Sequence, residues 1–144
     1  MHKDCERVLI SEEEIKSIVK DMAARISKDY QGKDLLLVGL LKGSVVFMAD
    51  LMKELDVDCK IDFISVSSYG AGTESNGRVN LIKDVSQPVE GKDVLIVEDI
   101  IDSGNTLSFI LKYFEAKGVK SVKLCTLLSK PSRRVVEIPV DYIG

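Results

Sequence analysis

The sequence predicts an α/β domain built on a mainly parallel sheet flanked by helices, and three observations carry that prediction. Apolar runs at residues 35–41 (LLLVGLL), 93–100 (DVLIVEDI) and 122–128 have the length and continuity of strands covered on both faces. Segments with apolar residues at helical spacing alternate with those runs. Glycines or capping residues punctuate the joints between them. The chain has 144 residues, enough for one domain with its own core and no need of disulfides or metals.

The first element is a helix. Ser11 and Glu14 have the spacing of a capping box, and Ile15, Ile18, Val19, Met22 and Ile26 follow on one helical stripe. A helix is therefore expected over residues 11–30, closed by Gly32. The strand at 35–41 comes next, Lys42-Gly43-Ser44 interrupts it, and a second helix is expected over 45–55. Alternation of Ile61, Phe63 and Val66 reads as a strand over residues 60–67. Residues 68–80 are small and polar, with Gly70, Gly72 and Gly77, which predicts a long mobile loop of functional kind. A short returning strand is expected over 79–82. Gly91 leads into the strand at 93–100, and Leu107, Ile110, Leu111 and Phe114 then mark one face of a helix that Gly118 ends. A strand at 122–128 and the beginning of another at 140–143 complete the chain.

Composition narrows the function. Hydrophobic residues make up 45% and charged residues 30%, with 20 basic and 23 acidic side chains and a net charge of −3. That balance argues against a nucleic-acid or membrane partner. Cys5, Cys59 and Cys125 are far apart, and the single histidine is His2, so no zinc-ligand spacing exists. The cysteines read as reduced thiols, two of them buried in strands. The start, MHKDCERVLI, has no apolar signal region, and no apolar run reaches membrane-spanning length. A cytoplasmic location is the expectation.

Chemistry concentrates in residues 94–107, VLIVEDIIDSGNTL. An apolar strand ends in Glu98 and Asp99, acids that need partners at the edge of a core. After Ile100 and Ile101 come Asp102, Ser103, Gly104, Asn105 and Thr106 at a helix start. That turn offers backbone N–H groups, hydroxyls and the positive end of a helix dipole, the ingredients of a phosphate cradle. Alone, Asp102 or Ser103 would read as a helix cap; the acid pair on the preceding strand changes the reading. Leu41-Lys42-Gly43-Ser44 is a second short glycine-containing turn at the end of a core strand, able to direct N–H groups at an anion.

These motifs resemble the signature of type I phosphoribosyltransferases, and the chain from about residue 36 onward resembles the bacterial hypoxanthine (hypoxanthine-guanine) phosphoribosyltransferases. The resemblance implies that Glu98 and Asp99 hold the ribose hydroxyls and, through them or through water, magnesium. It implies that Asp102, Ser103, Gly104, Asn105 and Thr106 hold the 5′-phosphate, with Asp102 as the general base. Leu41, Lys42 and Gly43 match the diphosphate loop, in which a strained, sometimes cis, Leu-Lys peptide occurs. Ser68 and Tyr69 match a lid that closes over the site. Ile100 would pack on the base, and Lys130 would donate to its O6, favouring hypoxanthine or guanine over adenine. The implied substrates are phosphoribosyl diphosphate and a purine base, and the implied assembly is a homo-oligomer, a dimer or tetramer. A transferase for xanthine and a non-catalytic sensor of phosphoribosyl diphosphate are the alternatives. The family pattern runs several tens of residues past the position of Gly144, so residues 1–144 are expected to be one domain shortened at its C-terminus.

Overall fold

A computed structural model describes residues 11–67, 80–101, 105–129 and 140–143. Helix α1 spans Glu12–Asp29 and begins as its sequence requires: the Ser11 side chain accepts from the Glu14 N–H at 3.0 Å, and the Glu14 carboxylate accepts from the Ser11 N–H at 2.8 Å. This reciprocal pairing satisfies donors that a helix start otherwise leaves to water. Gly32, at φ +74°, turns the chain out of the helix in a conformation that side chains disfavour. Strand β1 follows at Leu35–Leu40, every residue buried. Helix α2 is Val45–Glu54, β2 is Cys59–Ser67, β3 is Asn80–Lys83 and β4 is Asp93–Ile101. Helix α3 is Asn105–Ala116, β5 is Ser121–Ser129 and β6 is Tyr142–Ile143.

Among the described residues the strands form one sheet in the order β3-β2-β1-β4-β5-β6, parallel throughout except for β3 against β2. The continuous apolar runs have a direct cause. Alternate side chains of a strand point to opposite faces, and both faces are covered. Leu35, Leu37, Leu95, Val97 and Cys125 pack with Val19, Met22 and Ile26 of α1 and with Phe47, Met48 and Leu51 of α2. The intervening Leu36, Val38, Leu40, Val94, Ile96 and Leu124 pack with Leu107, Ile110 and Phe114 of α3. Truncating fully buried Phe114 to alanine would cost about 3–5 kcal/mol.

Element bounds agree with the sequence reading to within a residue or two, with Leu41 falling into the turn after β1. The alternation in β2 has a different outcome from the usual one. Asp62 and Ile64 are the buried positions, while Ile61 is 37% exposed and Phe63 only partly buried. Asp62 is accommodated because its carboxylate accepts the N–H groups of Phe63, Ser86 and Gln87 at 2.8, 2.7 and 3.2 Å.

Candidate active site

The strand order contains one reversal. From β1 the chain moves outward to β2 and β3, then returns to β4 on the other side of β1. Parallel sheets open a crevice beyond the carboxyl ends of strands at such a switch. The two turns singled out from the sequence leave these two strands. β1 and β4 pair from Leu35↔Asp93 to Gly39↔Val97, so the next residues on the two strands are Leu40 and Glu98.

At the end of β4 the two acids are no longer equivalent. The β4–β5 ladder pairs Glu98 with Thr126 and Ile100 with Leu128, with no pair at Asp99 between them. The Asp99 N–H donates instead to Glu98 Oε1 at 3.0 Å, and the Asp99 carbonyl accepts from the Thr126 hydroxyl at 3.2 Å. The Asp99 peptide is thereby held at both ends by side chains, and its carboxylate has no partner among the described residues. Burial pushes the pKa of Asp99 above the ordinary carboxyl value. Its carboxylate is half-buried and keeps its accepting capacity for an incoming donor. Ile100 beside it exposes 36% of its surface, an apolar platform at the same strand end.

At the end of β1, the Leu41 N–H donates to the Ile64 carbonyl on β2 at 3.0 Å, and the Ser44 N–H reaches back to the Leu40 carbonyl at 3.2 Å. The Leu41–Lys42 peptide is cis. Lys42 and Gly43 are exposed, and their N–H groups have no acceptor among the described residues. A Cβ at Gly43 would meet nothing within 4 Å. Packing within the protein therefore does not demand glycine there, whereas close approach of an anion to the backbone does benefit from it.

Of the expected site residues, Glu98, Asp99 and Ile100 fall at the end of β4, Asn105 and Thr106 in the first turn of α3, and Leu41, Lys42 and Gly43 in the turn after β1. Asp102, Ser103, Gly104, Ser68, Tyr69 and Lys130 lie outside the described residues. Thr126 is a site-shaping residue that the sequence did not reveal: a threonine in an apolar strand carries no signal until its cross-strand neighbour is known. A separate cleft of about 470 Å³ is lined by Tyr30, Gln31, Gly32, Lys33 and residues 55–58. It lies at the amino ends of β1 and β2, away from the acids. Among the described residues no group of three or more His, Cys, Asp or Glu could hold a metal ion, and no helix is long and apolar enough to cross a membrane.

Comparison with known proteins bears on the family and the fold. Residues 10–144 match the phosphoribosyl transferase domain family. The chain is 49% identical over 144 residues to the hypoxanthine-guanine phosphoribosyltransferase of Staphylococcus aureus, covering all of this chain and 80% of that protein. It is 50% identical, with the same coverage, to the protein of that name from Staphylococcus epidermidis. The crystal structure of a hypoxanthine phosphoribosyltransferase from Staphylococcus aureus superimposes with a TM-score of 0.91 at 49% identity, covering 94% of this chain and 74% of that one. The chain therefore belongs to the phosphoribosyltransferase family, among the hypoxanthine-guanine phosphoribosyltransferases.

Proposed function

We propose that the chain serves purine salvage by transferring the 5-phosphoribosyl group of 5-phosphoribosyl-1-diphosphate to N9 of hypoxanthine or guanine, giving IMP or GMP and diphosphate. The observation that carries this reading is the meeting, across the β1–β4 pair, of the Glu98–Asp99 strand end with the Leu41–Gly43 turn. A ribose between them would have carboxylates for its hydroxyls on one side and open N–H groups for its diphosphate on the other. Asp99, whose carboxylate has no partner among the described residues, suits a hydroxyl donor, and Glu98 stands next to it.

Asp102, Ser103, Gly104, Asn105 and Thr106 would bind the 5′-phosphate at the start of α3, where the helix dipole favours an anion. Asp102 would accept the proton from N7 of the purine as N9 attacks C1′, and return it in the reverse direction. Lys130 would donate to O6 and Ile100 would support the ring. Ser68 and Tyr69 would cover the diphosphate side and exclude water from a carbon that water attacks readily.

Magnesium fits this donor set. Carboxylates are the hard oxygen ligands the ion prefers, and one or two of them with substrate oxygens complete its usual shell. Glu98 and Asp99 would hold it indirectly, through ribose hydroxyls or water. When bound it supplies neutralisation of charge on the departing diphosphate. Cytoplasmic location and a homo-oligomer, dimer or tetramer, complete the proposal.

The test is nucleotide formation by the purified chain with phosphoribosyl diphosphate, magnesium and a panel of hypoxanthine, guanine, xanthine, adenine and uracil. Product with hypoxanthine or guanine and none with adenine is the expected result; product with adenine or uracil alone would overturn the base assignment. Asp102→Asn should lower kcat by about 100-fold or more while changing substrate KM little. An unchanged kcat would remove Asp102 from the role of base.

A further inference from the structure

Ser44 immediately precedes α2, where serine ordinarily turns its oxygen toward the N–H groups of the helix. It makes no such cap, and its own backbone is already helical at φ −83° and ψ −3°. The hydroxyl instead points back along the chain and donates to the Leu40 carbonyl at 2.5 Å. The Ser44 N–H donates to the same carbonyl at 3.2 Å. The residue is 0% exposed. Room for this reversed side chain comes from Gly39 on β1, where a Cβ would stand 3.0 Å from Ser44 Oγ, 2.5 Å from Met48 Sδ and 3.1 Å from Phe63 Cε1. A side chain at position 39 would force Met48, Ser44 and Phe63 to give way.

Both Ser44 donors thus anchor the turn on the last carbonyl of β1. What the anchored turn leaves outward is Lys42 and Gly43, with N–H groups that no described residue accepts. A helix cap has been forgone for a contact whose geometric effect falls on the turn.

We infer that Ser44 is a positioning residue for the diphosphate: its hydroxyl, seated in the notch left by Gly39, holds residues 41–43 so that the Lys42 and Gly43 N–H groups face the leaving group. The inference rests on the proposed diphosphate role of that turn. Ser44 touches no substrate; it acts through the backbone it anchors.

Ser44→Ala isolates the hydroxyl, because alanine keeps the N–H bond to Leu40 and the same Cβ. Gly43→Ala tests the turn itself, since its added Cβ meets only open space in the protein. Calorimetric titration of the full chain in magnesium buffer, with inorganic diphosphate and separately with GMP, reads the two halves of the site apart. Loss of one buried hydrogen bond predicts about a 5-fold weaker affinity of Ser44→Ala for diphosphate. GMP, which carries no diphosphate, should bind within about 2-fold of the parent chain on the same reasoning. Diphosphate binding by Ser44→Ala equal to the parent would overturn the role of Ser44, while weak binding by Gly43→Ala would keep that of the turn. Equal weakening for both ligands would reduce Ser44 to a structural residue and overturn the inference too. A parent chain that binds GMP but no diphosphate would remove the role of the turn, and with it that of Ser44.

Discussion

Asp62 on β2 and Asp99 on β4 are both aspartates within strands of one sheet, and the protein treats them in opposite ways. Burial alone would raise the pKa of Asp62, but N–H groups of Phe63, Ser86 and Gln87 overcome it and hold the carboxyl below its ordinary value. Lys83 Nζ stands 3.8 Å away and donates to the Phe63 and Asp84 carbonyls at 3.1 and 2.9 Å. Asp99 is pushed upward by burial with no such compensation. Asp62 organises the fold: its carboxylate joins β2 to the segment after β3. Asp99 has its backbone fixed, by Glu98 and Thr126, while its carboxylate has no partner among the described residues. A charged group that the fold positions without satisfying marks where a ligand belongs more sharply than burial or charge alone.

This contrast can be broken by substitution. Asp62→Ala strands the N–H groups of Ser86 and Gln87 and should cost about 3 kcal/mol of unfolding free energy in urea; a loss under about 0.5 kcal/mol would reduce Asp62 to an ordinary strand residue. Asp99→Asn should lower nucleotide formation by about 10-fold or more, as expected for loss of a charged hydrogen-bond acceptor, with an unfolding midpoint at pH 7 no lower than the parent's. A fall in stability would mean that Asp99 has a structural partner after all.

The pH dependence sharpens the comparison with opposite signs. Asp62 has a lowered folded pKa, so its stabilisation is complete above the unfolded carboxyl value of about 3.9 and is lost as pH falls through the folded value. Asp99 has a raised folded pKa, so the folded state loses stability as pH rises from about 3.9 through that value. Unfolding curves from pH 3 to pH 7 should therefore show Asp62→Asn falling further below the parent as pH rises, and Asp99→Asn gaining on it. The smallest effect is expected from Thr126→Val, which keeps the shape and removes the donor to the Asp99 carbonyl. It should cost about 1 kcal/mol and weaken GMP binding a few-fold, with Thr126→Ser restoring both.

Much of this was legible without coordinates because it depends on near neighbours in the chain. The capping box of α1 needs only Ser11 and Glu14. The double-sided burial of β1 and β4 is written in uninterrupted apolar runs, and an acid pair with a small-residue turn at the end of one run is conspicuous against them. Glu98 and Asp99, by contrast, looked alike as neighbouring letters. Only the cross-strand contact with Thr126 and the bond from Asp99 N–H to Glu98 separate the acid that serves the backbone from the one whose carboxylate has no partner among the described residues.

Asp62 likewise read as a polar position in an alternating strand, because its partners Ser86 and Gln87 are remote in sequence. Ser44 read as part of a turn, and its reversed hydroxyl depends on a notch at Gly39 that exists only once α2 lies on β1. The sequence by itself determined the element order, the buried strands and the family, since periodicity, capping and turn residues act locally. Tertiary structure alone decided which carboxylate is satisfied, which has no partner among the described residues, and what anchors the turn after β1. Those outcomes depend on hydrogen bonds between distant segments, and no local pattern encodes which donors folding will bring to an acceptor.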